Sequence, residues 1–330
     1  MAWTDIHGQS LALRVLQADL TQQRVAPAYL FTGPEGVGKR LAAFEMAKAL
    51  NCAAGVGGPC DQCDSCRRMR RRVHPDLYEL STHGGSEAIR IDDARGVLAR
   101  IALRPFMAQY QVVIINGAEH LTEEAANLLL KSLEEPPSQA RFLLISAQPS
   151  ACLPTIVSRC KTIRFQRLSD ALIDTLVVQR CSCDATVAAS VSRLAHGSLS
   201  RAMELAEQWD AYAAMVAHLG ESSPTAWLEW SVPTDRQEVS RWLACAIVWL
   251  RDLAVASVAD ERLLNHRQVL PAIQRQARRI NHERSVDTAM QLIELWESLE
   301  QMANPRLVGT LLREHWLDLL KSSNSTMLDY

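Results

Sequence analysis

A glycine-rich segment could bind phosphate in this chain, and it reads Gly33-Pro34-Glu35-Gly36-Val37-Gly38-Lys39-Arg40. In a phosphate-binding loop, glycines let backbone N–H groups turn toward the phosphate, a lysine reaches the terminal phosphates, and a Ser or Thr hydroxyl holds magnesium. The hydroxyl position is occupied here by Arg40, whose guanidinium cannot bind a cation. The segment therefore predicts phosphate contacts from Gly33, Gly36, Gly38 and Lys39 without a complete magnesium site. A glycine turn that merely begins a helix is the alternative.

The acidic half of such a site is also incomplete. An apolar run at 111–115 has the composition of a buried strand, and a hydrolytic site needs a carboxylate for magnesium and a second one for water at its end. The chain has Asn116 and Gly117 there. Glu119 follows two residues later, where it could return to the site, but a solvated loop acid is the favoured interpretation. Together with Arg40, these changes predict a nucleotide-binding scaffold that has lost hydrolysis.

Four of the nine cysteines have metal-ligand spacing. Cys60, Cys63 and Cys66 are separated by two residues each, and Cys52 lies a short glycine-rich loop upstream. Four thiolates of this kind can close a tetrahedral zinc site, which leaves no open position for a substrate. A disulfide framework would suit a small secreted domain, whereas we find no signal peptide and an odd number of cysteines. We therefore expect a structural Zn²⁺ site and a cytoplasmic protein.

Three further segments carry the most specific pattern. They read Asn-Leu-Leu-Leu-Lys-Ser-Leu-Glu-Glu-Pro-Pro at 127–137, Phe-Leu-Leu-Ile-Ser at 142–146 and Leu-Pro-Thr-Ile-Val-Ser-Arg-Cys at 153–160. In this order they resemble the AAA+ clamp-loader family of bacterial DNA polymerase III. The damaged nucleotide motifs resemble the delta prime branch of that family, although Lys39, which some of those relatives lack, is present.

The resemblance implies roles for two arginines. In that family the arginine of the Ser-Arg-Cys motif, here Arg159, enters the ATP site of the adjacent subunit as an arginine finger. A guanidinium aimed at the γ-phosphate stabilises the charge that develops during phosphoryl transfer. The family's sensor arginine corresponds to Arg201 and would give a second phosphate contact. An ordinary surface arginine is the alternative at both positions.

The resemblance also implies partners. These are the tau/gamma ATPase subunits and the delta subunit, with the sliding clamp and primer-template DNA reached through the assembly and no membrane involved. It implies no intrinsic ATPase activity, although the chain would form part of the DNA polymerase III holoenzyme. ATP or ADP binding at the degenerate loop stays open. We expect the isolated chain to be a monomer.

The remaining sequence predicts a three-part α/β protein, whose first part the resemblance implies is an AAA+ phosphate-loop sheet. Strand-like runs at 29–32, 77–80, 112–115, 142–145 and 161–165 alternate with helical runs up to residue 167, which indicates a parallel sheet covered on both faces. Residues 168–209 predict a small helical lid, and residues 210–330 predict helices alone. The resemblance implies that these last helices form a collar that holds the subunits together. Trp242 and Trp249 are a heptad apart and should share a buried helix face. We expect collar packing around 307–313.

A basic cluster follows the last cysteine of the zinc signature. Five arginines in so short a span could meet phosphates, but the formal net charge of −2 gives the chain no general attraction for nucleic acid. A solvated helix face or an acidic partner is favoured. Two other functions remain alternatives: an autonomous AAA+ ATPase that uses Lys39 and Glu119, and a zinc-dependent nucleic-acid-binding module. The cluster consists of Arg67, Arg68, Arg70, Arg71 and Arg72.

Overall fold

The computed structural model describes residues 3–55, 58–82, 88–137 and 139–321. Its sheet has five parallel strands in the order β2-β3-β4-β1-β5. All five predicted strands are present, with ends that differ from the prediction by at most two residues. The strands are β1 (Ala28–Thr32), β2 (Leu77–Leu80), β3 (Gln111–Asn116), β4 (Ala140–Ser146) and β5 (Lys161–Arg164).

Helices connect and follow these strands, and the parallel α/β prediction is confirmed. Within the described residues they are α1 (Ser10–Thr21), α2 (Lys39–Leu50), α3 (Asp64–Arg70), α4 (Ile91–Ile101), α5 (Glu123–Glu134), α6 (Pro154–Val157), α7 (Asp170–Cys181), α8 (Ala185–Ala195), α9 (Leu199–Glu207), α10 (Trp209–Leu219), α11 (Pro224–Leu228), α12 (Arg236–Val258), α13 (Leu270–Ala277), α14 (His282–Glu300) and α15 (Pro305–Lys321).

The central strands β1, β3 and β4 are buried on both faces, and their alternate side chains point to opposite sides of the sheet. Phe31 and Ile114 pack on the side of α1 and α2, whereas Leu30 and Ile115 pack on the side of α4 and α5. The interiors of these strands are therefore mainly apolar, as expected of a parallel sheet, whereas the edge strands β2 and β5 are partly exposed. The carboxyl ends of β1, β3 and β4 lie side by side at one edge, where the phosphate loop begins.

The chain separates into two compact units. The sheet unit comprises residues 1–176 and 195–201, and the helical unit comprises residues 177–194 and 202–330. The predicted division at residues 167 and 209 into sheet, lid and collar stays a prediction. Within the described part of the chain, no helix is long and apolar enough to cross a membrane.

The helical unit is organised around α12, which packs against α10, α13, α14 and α15. Trp242 and Trp249 are both buried in its core, as predicted from their heptad spacing. The Trp249 indole donates a hydrogen bond to Gln276 Oε1 at 2.8 Å, so the buried N–H is satisfied. On α15, Leu312 is buried while Leu307 is 58% exposed, so the expected collar contact around 307–313 stays a prediction.

Candidate functional site

The phosphate loop adopts a backbone conformation that depends on its three glycines. Gly33, Gly36 and Gly38 have φ values of 137°, 70° and 101°, which residues other than glycine rarely adopt. A Cβ atom at Gly36 would also overlap the Ser198 hydroxyl. The Gly36 carbonyl accepts the Leu199 N–H at 3.1 Å. The backbone angles therefore require glycine at all three positions, and the close approach of the segment 198–200 adds a steric requirement at Gly36. Phosphate binding by these glycines stays a prediction.

Lys39 is turned back into its own loop. Its side chain is buried, and its ammonium group donates to the carbonyl oxygens of Gly33 and Pro34, the second at 2.6 Å. Burial lowers the pKa of Lys39, and the opposing charges of Glu35 and Glu119 offset this only in part. The lysine thus lies at the start of α2, as in a phosphate-binding loop, and two of its three N–H donors are bonded to the loop itself.

Arg40 points away from the loop toward the end of β2. Its Nε and Nη2 atoms both donate to Glu79 Oε1, at 2.8 and 2.5 Å. Arg72 lies 3.9 Å from the other Glu79 oxygen, and both guanidiniums lie near the Phe44 ring. Arg40 therefore replaces the magnesium-binding hydroxyl with a structural ion pair. Sequence reasoning missed Glu79, which lies 39 residues away and has no local signal.

The loop after β3 places Glu119 differently from the favoured prediction. Asn116 ends the strand and Gly117 has φ of 84°, so neither supplies a carboxylate. Glu119 Oε1 accepts the backbone N–H of Ala147 at 2.8 Å, beyond the end of β4. Its other carboxylate oxygen is buried without a hydrogen-bond partner among the described residues. The prediction of a solvated loop acid is therefore wrong: Glu119 is partly buried at the carboxyl edge of the sheet and acts electrostatically on Lys39.

Arg201 lies close to the loop in the chain but is exposed. Its backbone N–H donates to the Ser198 hydroxyl at 3.3 Å, and Ser198 and Ser200 lie against Gly36. This places the backbone of Arg201 near the phosphate loop. Its predicted phosphate contact stays a prediction.

Arg159 follows α6, whose buried residue Ile156 anchors this short helix to the core beside α5. The Arg159 side chain is 32% exposed. Its Nε atom donates to Glu134 Oε1 at 2.6 Å, its Nη2 atom donates to the same oxygen, and its Nη1 atom donates to the Thr155 carbonyl at 2.9 Å. The guanidinium is thus fixed at the surface of the sheet unit rather than free in solvent. Sequence reasoning did not identify Glu134 as its partner, although both residues lie in the motifs that were noticed.

The four cysteines of the zinc signature meet in space. One sulfur from each of Cys52, Cys60, Cys63 and Cys66 lies within 4.8 Å of all the others. In a tetrahedral zinc site with bonds of about 2.3 Å the sulfurs would be roughly 3.8 Å apart, so a small contraction would accommodate the ion. The Cys60 N–H donates to Cys52 Sγ at 3.2 Å, and the Cys63 N–H donates to Cys60 Sγ at 3.3 Å. These residues could hold a metal, and their all-thiol chemistry fits zinc.

The thiol pKa values differ within this cluster. Hydrogen bonds from the backbone N–H groups of Cys63 and Gln62 lower the pKa of Cys60 to about 6, because they stabilise the thiolate. Burial raises the pKa of Cys66. A metal ion would remove this difference by binding both as thiolates.

A buried ion pair connects the cysteine module to the helix that follows the phosphate loop. Lys48 on α2 contacts Asp61 at 2.5 Å and Glu45 at 2.8 Å, and the Lys48 and Glu45 side chains are almost fully buried. Burial raises the pKa of Glu45, and the contacts with the two acids raise the pKa of Lys48 against the effect of burial. The module and α2 are therefore joined by charge as well as by packing.

Comparisons with known proteins agree with these features. Residues 8–169 match the family model described as "DNA polymerase III, delta subunit". The chain is 33% identical over 181 residues to the DNA polymerase III subunit delta' of Bacillus subtilis, covering 54% of each protein. It is 40% identical over 136 residues to the subunit delta' of Pseudomonas aeruginosa, covering 41% of this chain and 42% of that protein. Over residues 8–169 the chain belongs to the clamp-loader family of DNA polymerase III subunits.

The family also includes longer relatives. The DNA polymerase III subunit tau of Escherichia coli is 32% identical over 212 residues, which cover 62% of this chain and 32% of that protein. The chain thus spans about a third of the length of the tau subunits and about half of the length of the delta' subunits that it matches. The residues that the family model matches all lie in the sheet unit, which contains the phosphate loop, the cysteines and Arg159.

Proposed function

We propose that this chain is a noncatalytic delta prime subunit of the DNA polymerase III clamp loader. In this proposal Arg159 enters the ATP site of a neighbouring tau/gamma subunit and stabilises the transferring phosphoryl group. ATP turnover at that shared site would drive loading of the sliding clamp onto primed DNA. The delta subunit would complete the assembly, and the chain would act in the cytoplasm.

One observation carries the proposal: Arg159 is held in a defined position at the surface of the sheet unit. An arginine finger must reach a partner's phosphate, so it has to be accessible, and it must already be oriented, so it has to be held. A solvated surface arginine would satisfy only the first requirement. Arg159 satisfies both, and its motif matches the family.

The chain's own site supports the noncatalytic part of the proposal. Arg40 is bound to Glu79 rather than available to the loop, and it could not bind magnesium in either position. Asn116 and Gly117 cannot act as the acidic pair that positions the metal and activates water. The donors of Lys39 point to loop carbonyls. Phosphate binding at Gly33, Gly36, Gly38, Lys39 and Arg201 would then be structural, without turnover.

The cysteine module would have a structural role in this proposal. Four thiolates would hold one Zn²⁺ ion in a closed site, so the metal would stabilise the loop between α2 and β2. No substrate position would remain on the ion. The Lys48–Asp61 contact would connect the ordered loop to α2.

The experiment is ATP turnover by a loader reconstituted with the tau, delta and sliding-clamp proteins and primed DNA. We expect Arg159→Ala to lower kcat by about tenfold or more, since a finger supplied in trans is worth ~10³–10⁵ in rate at the site it completes. Arg159→Lys should recover little, because an ammonium group cannot reproduce the guanidinium fork. Gel filtration must show that each variant assembles.

Arg95→Ala is the matched control for this experiment. Arg95 is also an exposed arginine in an ion pair, with Asp92 at 2.7 Å, and its removal causes the same change in charge. Turnover should stay within about twofold of wild type, since exposed ion pairs contribute little to stability. If the intact Arg159→Ala loader turns over ATP as fast as wild type, the proposed finger is wrong and the subunit is a scaffold.

The position of Glu119 supports a second candidate, an autonomous ATPase. Its carboxylate lies at the carboxyl edge of the sheet. One of its oxygens is buried without a hydrogen-bond partner among the described residues, so Glu119 could replace the missing acid after β3. Magnesium-dependent ATP turnover by the isolated chain, abolished by Lys39→Ala, would support this candidate. We favour the first proposal because Arg40 still removes the hydroxyl ligand.

A further inference from the structure

Glu134 contacts Arg159 in a way that leaves part of the guanidinium unused. Arg159 has five N–H donors. Glu134 Oε1 accepts one from Nε and one from Nη2, and the Thr155 carbonyl accepts one from Nη1. One N–H therefore remains on each terminal nitrogen, without a partner among the described residues. Arginine binds phosphate through N–H groups of this kind, so both terminal nitrogens still have a donor for one.

The backbone on each side of the contact is anchored to the core of the sheet unit. Glu134 is the last residue of α5, whose Leu133 and Leu129 are buried, and α6 is anchored to the same core by Ile156. The Thr155 carbonyl lies in the last turn of α6, where helix carbonyls lack helical partners, and it also accepts the Ser158 hydroxyl at 3.1 Å. Arg159 is thus fixed from both helices at once.

The position of Glu134 is unfavourable for α5 itself. A carboxylate in the last turn of a helix is repelled by the negative end of the helix dipole, where a cation would be favoured. Glu134 and Arg159 are also 48% and 32% exposed, and an exposed ion pair contributes little to folding. The stability of this chain therefore gives no strong reason for a glutamate here, whereas the orientation of Arg159 does.

We propose that Glu134 is a positioning residue for Arg159: it occupies one edge of the guanidinium and directs the terminal N–H groups toward an ATP γ-phosphate held by a neighbouring subunit. This inference rests on the proposed function of Arg159. Orientation before the chemical step lowers the entropic cost of reaching the transition state. Without Glu134 the side chain of Arg159 samples several rotamers, and only some of them reach the phosphate.

The test is steady-state ATP turnover by the reconstituted loader with Glu134→Ala, Glu134→Gln, Arg159→Ala and the double variant. We expect Glu134→Ala to lower kcat by about tenfold while KM for ATP stays within about twofold, since binding groups are untouched. Glu134→Gln keeps the Oε1 acceptor and should recover kcat to within about threefold of wild type. The double variant should be no slower than Arg159→Ala alone, because the two residues act as one unit.

Glu135→Ala is the matched control, since Glu135 is the next acid in the chain, is exposed and makes no ion pair among the described residues. Its loader should behave as wild type. In the isolated chain, the Arg159 Nε–H signal in a side-chain NMR spectrum should broaden or shift with Glu134→Ala and not with Glu135→Ala. This readout reports the contact itself and requires no activity.

The outcomes separate the inference from the function it rests on. If Arg159→Ala leaves turnover unchanged, the proposed function fails, whatever Glu134 does. If Arg159→Ala is slow but Glu134→Ala matches wild type, the function stands and the positioning role is wrong. Faster turnover with Glu134→Ala would also overturn it, because Glu134 would then restrain Arg159 rather than direct it.

Discussion

The phosphate loop and the Arg159 segment belong to the same sheet unit, and the chain treats Lys39 and Arg159 in opposite ways. In the loop, Lys39 is buried and bonded to the loop's own carbonyls. Arg40 is paired with Glu79 and Arg159 with Glu134, and both guanidiniums lie at the surface, 42% and 32% exposed. The Lys39 charge is therefore enclosed by the loop, whereas Arg159 keeps two N–H groups without a partner among the described residues.

In the proposed function, the loop keeps its shape although it hydrolyses no nucleotide. A lysine that binds loop carbonyls stabilises the loop when no phosphate is present, and an arginine in place of a hydroxyl joins the loop helix to β2. The exposed Arg159 ion pair contributes little stability, and the role proposed for Arg159 lies in the site of a neighbouring subunit. Four experiments test this contrast, from the largest expected effect to the smallest.

Removal of the metal should destabilise the cysteine module and α2 and leave the Arg159 segment unchanged. Cys66 is fully buried, and we expect Cys66→Ser or a strong chelator to destabilise the module by about 3 kcal/mol or more, because structural zinc contributes directly to folding. Hydrogen exchange should accelerate in α3 and in α2, which the Lys48–Asp61 pair joins to the module. Exchange at 154–160 should stay unchanged.

Zinc content of the purified chain is measured alongside, with one ion per chain expected. Cys183→Ser serves as the control, because Cys183 lies outside the cluster. Equal loss of protection at 154–160 would contradict the contrast, since the two regions would then depend on the same support. A chain that binds no zinc would contradict the metal assignment.

Lys39→Ala should lower the free energy of unfolding and leave loader turnover unchanged, the reverse of what we expect for Arg159→Ala. Hydrogen bonds from charged groups contribute about 1.5–3 kcal/mol, and part of this is offset because a buried ammonium is costly. We therefore expect a loss of about 1–2 kcal/mol in the free energy of unfolding, measured by urea denaturation, while loader turnover stays within twofold of wild type. Arg159→Ala should leave the unfolding free energy within about 0.5 kcal/mol. A tenfold loss of turnover with Lys39→Ala would show that this chain uses its own site.

The fold could be predicted from sequence far better than these contacts. All five strand-like runs became parallel strands, and the central ones were the clearest because a strand buried on both faces needs nearly continuous apolar side chains. The helix signal is also local: Thr122 caps α5, since its hydroxyl accepts the Ala125 N–H at 3.3 Å. Cysteine spacing identified the four-thiol cluster because the ligands are close in the chain.

The decisive polar contacts are long-range, which explains why sequence patterns did not show them. Glu79 lies 39 residues from Arg40, and Glu134 lies 25 residues from Arg159. Glu119 looked solvated because its burial depends on the backbone beyond β4, 28 residues later. Local patterns report which face of an element is buried, but they do not report which surface groups the fold brings together.

Arg40→Thr should restore part of the loop's ability to bind nucleotide. The hydroxyl would supply the missing magnesium ligand. With Mg²⁺ and ADP at about ten times Kd the added stability would be about 1.4 kcal/mol, or roughly 3–5 °C in Tm. Wild type should shift by less than about 1 °C in thermal denaturation. Arg40→Ala controls for loss of the Glu79 pair and should not gain the shift. An equal shift in wild type would show that the native loop already binds nucleotide.

Glu119→Gln should have the smallest effect. The amide oxygen can still accept the Ala147 N–H, and the buried oxygen that lacks a partner is replaced by a neutral group, so we expect a change in unfolding free energy below about 1 kcal/mol. Loader turnover should match wild type. The sharper measurement is magnesium-dependent ATP hydrolysis by the isolated chain, which should be at background before and after the substitution. Turnover that is present in wild type and lost with Glu119→Gln would make Glu119 the missing acid. The phosphate loop would then be catalytic, and its contrast with Arg159 would no longer hold.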